Sequence, residues 1–192
     1  MSSSKMNHQI FHFPGAEICL GGLTELRCNL SIEPSFFFGL VQYCRSIEKL
    51  IVEPCTKDNY GLAKLIEVQE NLKHFEYVLR EEERDDFIKF KEISQALMNK
   101  SQTIIHFEAN YDEGIVISPK IFPKLLNLRI LRLIIRSGID EEIERQLEVL
   151  TFFNLQEFRS EYILAETVTK VIEKTGGKLQ IIVADYDLSS NY

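Results

Sequence analysis

The chain has 192 residues, of which 45% are hydrophobic, and its 22 basic and 29 acidic residues give a net charge of −7. This length suits one domain with a continuous core, and the acidic balance argues against general binding to nucleic acid, where lysine and arginine dominate affinity. The polar first eight residues lack the apolar stretch of a secretory signal, and no run approaches the ~18 apolar residues that span a bilayer. We therefore expect no nucleic acid or membrane as partner.

Residues 1–22 precede a repeated motif, and Ile10, Phe11 and Phe13 are expected to form an N-terminal cap. From residue 23 an apolar hexad (apolar-x-x-apolar-x-apolar) occurs seven times. Its first positions are Leu23, Ile47, Leu72, Ile104, Leu128, Leu155 and Leu179. The steps between them are 24, 25, 32, 24, 27 and 24 residues, a period that predicts an α/β solenoid with one short strand and one return segment per unit. Residues 23–184 are the predicted repeat domain, and residues 185–192 are a tail.

The segments between the hexads carry signals of helices. Pro34 is a favoured first helical residue, and Asn59 is a suitable N-cap. Pro123 is expected to shorten the segment that contains it. The predicted return segments are residues 34–43, 59–69, 86–98, 118–126, 140–150 and 165–174.

Three strands are entered through the same Asn-Leu pair. The asparagines are Asn71, Asn127 and Asn154, and we expect them to bond neighbouring backbone amides in the turn.

The 32-residue step contains a charged run at residues 80–86, which we interpret as a solvated loop, with a partner-binding acidic flap as the alternative. The last hexad, residues 179–184, has apolar residues on both faces of the predicted strand, although repeat arrays normally end with a polar face. Either the tail covers it, or the array belongs to a longer protein.

Four cysteines, Cys19, Cys28, Cys44 and Cys55, are 9, 16 and 11 residues apart. None of these spacings matches the ligand pairs of a structural zinc site. The prediction is that all four are buried, reduced thiols that pack as small apolar side chains. Reduced thiols fit a location in the cytoplasm or the nucleus.

Residues 13–19, 23–28, 39–50 and 62–73 carry the segments FPGAEIC, LTELRC, GLVQYCRSIEKL and LAKLIEVQENLK. Together they resemble the large fungal F-box/leucine-rich-repeat family over about residues 13–185. The resemblance implies a leucine-rich-repeat horseshoe, with short parallel strands on the concave face and helices on the convex face. It also implies that the repeats select the substrates of a ubiquitin ligase. The 22 residues before the first hexad are too few for an F-box, so ligase recruitment is not expected from this chain by itself.

Alternate residues of a strand face opposite sides, so the residues between the apolar hexad positions are expected to share one concave face. Seven strands at ~4.8 Å spacing give a face roughly 30 Å across, which suits a folded epitope or an extended peptide. The expected function is non-catalytic protein binding without a cofactor. The residues predicted to bind the partner are Arg27, Lys49, His74, Glu76, His106, Glu108, Ile130, Arg132, Ile134, Arg159, Ile181 and Val183.

The tripeptide His-Phe-Glu occurs on two consecutive predicted strands, at residues 74–76 and 106–108. In-phase strands would bring the two imidazoles and the two carboxylates within about 5 Å laterally. We expect them to be ordinary solvated residues. The alternative is a metal-dependent enzyme in which His74, Glu76, His106 and Glu108 hold zinc or ferrous iron. The imidazoles also suggest partner binding that depends on pH near neutrality.

A second candidate patch lies toward the C-terminal half. Arg132 and Arg159 are expected to be neighbours on adjacent strands among exposed aliphatic side chains, a mixture that occurs at interface centres. This pair would suit a phosphorylated or carboxylate-bearing peptide, unless Glu157 and Glu161 neutralise Arg159.

The sequence contains none of the motifs G-x-S-x-G, G-x-x-x-x-G-K, H-E-x-x-H and G-x-G-x-x-G, so we assign no catalytic residue. A further alternative is a truncated decoy that folds without recruiting a ligase.

Overall fold

The computed structural model describes residues 9–53, 57–78, 89–111, 117–135 and 141–185. In these ranges seven β-strands alternate with helices. The strands are β1 (Glu25–Asn29), β2 (Lys49–Glu53), β3 (His74–Tyr77), β4 (His106–Asn110), β5 (Ile130–Ile134), β6 (Glu157–Glu161) and β7 (Ile181–Asp185). The α-helices are α1 (Ala16–Gly21), α2 (Pro34–Tyr43), α3 (Tyr60–Val68), α4 (Lys91–Lys100), α5 (Glu141–Val149) and α6 (Ala165–Glu173). There are also two 3₁₀ helices, Gln9–His12 and Pro119–Lys124.

The seven strands form one parallel sheet in the order β1-β2-β3-β4-β5-β6-β7. Each strand pairs with the next strand along the chain, with matching hexad positions directly opposite each other. The second apolar position of each hexad gives one central row, Leu26, Leu50, Phe75, Phe107, Leu131, Phe158 and Ile182. The predicted α/β class and the in-phase pairing of the strands are confirmed.

The hexad positions face a core between the sheet and the helices. The five members of the central row from Leu50 to Phe158 are buried. Phe75 stacks on Phe107, with ring centroids 5.6 Å apart. Successive helices pack on one another along the other side of the core, α2 on α3 and α3 on α4. The side chains that alternate with the core positions therefore point to the opposite side of the sheet.

Asn59 caps α3 as predicted, and it also joins two coils of the solenoid. Its Oδ1 accepts a hydrogen bond from the backbone N of Leu62 at 3.1 Å. Its Nδ2 donates to the backbone oxygens of Leu30 at 3.1 Å and Ile32 at 2.8 Å. The residue is buried, so these bonds satisfy an amide that water cannot reach.

Gln69 joins the same two coils in a similar way, which was not predicted from the sequence. Its Oε1 accepts from the backbone N of Ile47 at 2.9 Å. Its Nε2 donates to the backbone oxygens of Cys44 at 3.0 Å and Leu65 at 2.8 Å. Like Asn59, Gln69 is buried, and its loss would leave backbone groups of two coils without partners.

The asparagines that precede β5 and β6 bond backbone carbonyls. The Nδ2 of Asn127 donates to the oxygen of Gln102 at 2.7 Å, and that of Asn154 donates to the oxygen of Leu126 at 3.3 Å. The prediction of bonds to neighbouring amides is therefore wrong for these two residues, because each side chain acts as a donor to the preceding coil.

The return segments agree with prediction to different degrees. The helix predicted at residues 86–98 is observed from Lys91 to Lys100 as α4, and residues 86–88 lie outside the described residues, as does the charged run at 80–86. The segment that contains Pro123 is a 3₁₀ helix of six residues, consistent with a proline that lacks the amide hydrogen an α-helix would use. Helix α2 matches its predicted bounds.

At the N-terminal end of the fold an aromatic side chain packs against helix α2. The ring of Phe11 lies 5.4 Å from that of Phe36, measured between centroids. A Cβ at Gly39 would lie 2.3 Å from the Phe11 ring, so only glycine permits this approach. The predicted cap is confirmed for Phe11, but it is wrong for Ile10 and Phe13, which are 40% and 64% exposed.

The C-terminal edge differs from the N-terminal edge. Ile182 belongs to the central row, yet it is 45% exposed. Its neighbours Ile181 and Val183, which face the other side of the sheet, are exposed to a similar degree. Residues 186–192, which include the predicted covering tail apart from Asp185, lie outside the described residues.

The cysteines do not share one environment. Cys28 and Cys44 are buried with free thiols, as predicted, and burial together with the nearby Glu53 raises the pKa of Cys28 to about 12. Cys19 is exposed, so its predicted burial is wrong; it lies on α1, a short helix without buried residues. Cys55 lies outside the described residues.

No helix in the described ranges is long and apolar enough to cross a membrane.

Candidate functional site

The outward side chains of the seven strands form three rows across the sheet, and we call this surface the open face. The first row is Glu25, Lys49, His74, His106, Ile130, Glu157 and Ile181. The second row is Arg27, Ile51, Glu76, Glu108, Arg132, Arg159 and Val183. The third row includes Asn29, Glu53, Asn110, Ile134, Glu161 and Asp185. All twelve residues predicted to bind a partner lie in these rows.

The two His-Phe-Glu copies meet at the centre of the open face. The rings of His74 and His106 are stacked, with centroids 3.7 Å apart and an interplanar angle of 29°. The Nε2 of His74 lies 3.4 Å from Glu76 Oε2, and that of His106 lies 3.6 Å from Glu108 Oε2. Both Nε2 atoms are buried and lack a hydrogen-bond partner. The predicted juxtaposition of two imidazoles and two carboxylates is confirmed.

Burial keeps one of these rings uncharged. The pKa of His74 is lowered to about 4, first because the ring is removed from water and then because His106 and Lys49 lie nearby. His74 is therefore neutral at pH 7. A titration of His74 near neutrality is therefore not supported, while pH-dependent binding itself stays a prediction.

The same four side chains do not form a metal site in this arrangement. Among the described residues, no group of three or more histidines, cysteines, aspartates and glutamates is placed to hold a metal ion. The geometry therefore gives no donor set for the metal-dependent alternative.

Glu76 and Glu108 are opposite each other on β3 and β4 but differ in their partners. The Oε2 of Glu108 lies 3.2 Å from Arg132 Nη1. The His106 ring and then the Arg132 guanidinium hold the pKa of Glu108 below its ordinary value. Glu76 has no lysine or arginine at ion-pair distance among the residues that the structure describes. Burial and the neighbouring Glu108 raise the pKa of Glu76.

Arg132 and Arg159 are neighbours in the second row, as predicted, and Glu157 binds both. Its Oε1 lies 2.7 Å from Arg132 Nη2 and 2.6 Å from Arg159 Nε. Burial opposes ionisation of Glu157, but the hydrogen bonds from Arg159 and Arg132 hold its pKa below the ordinary value. The arginine pair is therefore already balanced by Glu157 and Glu108, which favours the neutralised alternative over a free phosphate-binding pair.

The other two cations of the open face are also paired. Arg27 Nε lies 2.8 Å from Glu53 Oε1 on β2, and Lys49 Nζ lies 3.1 Å from Glu25 Oε1 on β1. Both pairs bridge adjacent strands. They lie on the N-terminal part of the open face.

The predicted aliphatic members of the face fall into two classes of exposure. Ile130 and Ile134 of β5 are half-buried. Ile181 and Val183 of β7 are exposed. The apolar part of the open face therefore becomes more accessible toward the C-terminal edge.

A groove on the helical side was not foreseen from the sequence. It lies between α4, the 3₁₀ helix Pro119–Lys124 and α5, and it has a volume of about 570 Å³. Lys91, Lys120 and Met98 are among its lining residues. These residues come from separate return segments, and no motif in the sequence links them, because the groove depends on how the segments pack.

A comparison with protein-family models finds no match to the chain, and a search of curated proteins finds no similar sequence. The open face, with its continuous rows and its pattern of paired and unpaired charges, is the feature from which a function can be argued.

Proposed function

We propose that the chain is a leucine-rich-repeat horseshoe whose open face binds a protein partner and catalyses no reaction. The observation that carries this proposal is the unbroken register of seven strands, which aligns outward side chains into continuous rows. At ~4.8 Å per strand the face extends roughly 30 Å. A surface of that width can contribute the ~800 Å² that one partner buries in a standard protein interface.

Rigidity of the face supports the same role. The ion pairs between Arg27 and Glu53 and between Arg132 and Glu157 connect adjacent strands, so these side chains lose less conformational entropy when a partner covers them. The backbone beneath them is fixed by the parallel sheet. A preformed polar surface with exposed aliphatic residues at one end is a suitable platform for recognising a protein.

The resemblance of residues 13–185 to the F-box/leucine-rich-repeat family suggests the kind of partner. By that resemblance, the proposed role is to select a protein that a ubiquitin ligase will modify. In this proposal the chain contributes target binding, and ligase docking is assigned to none of its residues.

Affinity capture from the source cells tests the binding function. The open-face variant carries Lys49→Glu and Val183→Glu. The matched control carries Lys64→Glu on α3 and Val149→Glu on α5, which make the same chemical changes on the helical side. We expect proteins captured by the wild type to be lost with the first variant and retained with the second, as measured by quantitative mass spectrometry.

Three other outcomes would contradict the proposal. Equal capture by both variants would place the binding surface elsewhere. Failure of the wild type to capture any protein would favour the decoy alternative. Stoichiometric zinc or iron in the purified protein, lost on His106→Phe, would instead revive the metal-dependent enzyme.

A further inference from the structure

The charge of the open face points to the chemistry of its partner. The face carries four cations, Arg27, Lys49, Arg132 and Arg159. It carries seven carboxylates, Glu25, Glu53, Glu76, Glu108, Glu157, Glu161 and Asp185. With His74 neutral, the described rows therefore have three more carboxylates than these cations. A surface of this sign attracts a basic segment and repels an acidic or phosphorylated one.

The pairing of these charges strengthens the same conclusion. Every cation of the face already has a carboxylate within 3.1 Å. A phosphorylated peptide would have to displace Glu157 from Arg132 and Arg159, and Glu157 is almost fully buried. A basic partner needs no such displacement, because Glu76 has no lysine or arginine partner among the described residues.

Glu76 occupies a confined position. Its side chain is only 22% exposed, and Glu108 lies directly opposite it on β4. Its nearest basic group is the His74 ring, which is uncharged at neutral pH. Burial and the like charge of Glu108 both disfavour the ionised carboxylate. A cation from outside would therefore relieve an existing electrostatic cost as well as form a new contact.

The surroundings of Glu76 suit a planar cation. The rings of His74 and His106, stacked on each other, lie beside the carboxylate, with His74 Nε2 3.4 Å from Glu76 Oε2, and Ile51 is its in-register neighbour on β2. A guanidinium group binds a carboxylate through two parallel hydrogen bonds and stacks on aromatic rings. An ammonium group is more strongly hydrated and lacks the planar fork.

Building on the proposed binding function, we propose that the partner of the open face places an arginine side chain at Glu76, against the stacked His74 and His106 rings. The carboxylate of Glu76 accepts the two hydrogen bonds of the guanidinium, and the His74 and His106 rings cover one side of it. Arg132 is held away from this position by Glu108 and Glu157, so the site is open to an arginine from another molecule.

The test uses blocked tripeptides, so that it does not depend on an identified partner. Acetyl-Gly-Arg-Gly-amide is titrated into the full-length protein, and amide and imidazole resonances are followed by NMR. We expect a dissociation constant on the order of millimolar, with shifts centred on His74, Glu76 and His106. Glu76→Gln should weaken binding about tenfold, because one charge-assisted pair is lost. Glu161→Gln, which removes the same charge from β6, is the matched control and should bind like the wild type.

Peptides with lysine, glutamine or phosphoserine in place of arginine define the selectivity. The expected order is arginine, then lysine, with no binding of the other two. The inference is overturned if Glu76→Gln binds the arginine peptide as tightly as the wild type, or if the phosphoserine peptide binds better. Such a result would leave protein capture by the open face intact, whereas loss of capture with normal arginine binding would count against the proposed function alone.

Discussion

The two edges of the sheet contain equivalent residues in different surroundings. At the N-terminal edge Leu26 of the central row is partly buried, and Phe11 packs against the same core. At the C-terminal edge Ile182 holds the equivalent position and is 45% exposed. The comparison shows that burial in this solenoid comes from the neighbouring coil rather than from the hexad itself.

The interior coils add a second contrast. Asn59 and Gln69 connect the early coils through buried hydrogen bonds to backbone groups. Asn127 and Asn154 connect later coils from exposed positions. Because a buried polar group costs more when it loses its partner than an exposed one, we expect stability to be concentrated in the early and central coils.

The largest expected difference compares Leu131→Ala with Ile182→Ala. The two residues have similar volumes and occupy the same hexad position, but Leu131 is fully buried in β5. Leu131→Ala should lower the free energy of unfolding by about 3–5 kcal/mol, and Ile182→Ala by about 1 kcal/mol. Urea denaturation followed by circular dichroism measures both. Similar losses would show that another part of the protein covers Ile182.

The next effect concerns the buried amides. Asn59→Ala removes a helix cap and leaves backbone oxygens of Leu30 and Ile32 without their donor, so it should cost about 2–4 kcal/mol. Asn154→Ala, an exposed donor to Leu126, should cost about 0.5 kcal/mol. Equal values in the same denaturation assay would contradict the contrast between early and late coils.

A smaller effect is expected at the N-terminal edge itself. Phe11→Ala removes a half-buried ring that contacts Phe36, and it should lower the unfolding free energy by about 1–2 kcal/mol. Phe13→Ala is the matched control, because its ring is largely exposed. Differential scanning calorimetry should show a lower Tm for the first variant and little change for the second.

The smallest effect is the pH dependence of stability that comes from His74. Its pKa falls from 6.5 to about 4 in the folded protein, so its contribution to stability is complete above pH 6.5 and is lost as the pH falls toward 4. Chemical denaturation at pH 7 and pH 5 should show this loss in the wild type and a smaller one in His74→Phe, which keeps a ring beside His106. His12→Phe, at an exposed position, is the control.

Carboxylates on the open face also titrate, but mainly at lower pH. The pKa values of Glu108 and Glu157 lie below their ordinary value of 4.5, so they too favour folding at higher pH. The pKa of Glu76 is raised in the folded protein, so this residue favours folding at lower pH instead. Arg132 near His74 stays charged through this range, because its pKa is raised above its ordinary value. An identical pH profile for wild type and His74→Phe would show that the ring is solvated.

The sheet could be predicted because its register depends on the alternation of side chains between the two faces of a strand, and this alternation is visible in the apolar positions of the hexads. Helix α3 could be predicted because Asn59 is a local cap, and Pro123 indicated a short segment. The hydrogen-bond and ion-pair partners of individual side chains were harder to predict from the sequence, because they depend on rotamers and on contacts between coils. The bond between Arg132 and Glu157 and the exposure of Cys19 and Phe13 are examples. The open face was therefore predicted as a set of positions, but its distribution of free and paired charge was not.

The constant register has a consequence for changing the size of this protein. Deleting residues 128–154 would join Asn127 to Leu155, which restores the same Asn-Leu dipeptide at the junction. Strand β4 would then meet β6 with Phe107 opposite Phe158, as each now meets β5. The array can therefore be engineered by removing whole periods, whereas deleting a single residue within a strand would turn the side chains that follow it in that strand to the opposite face.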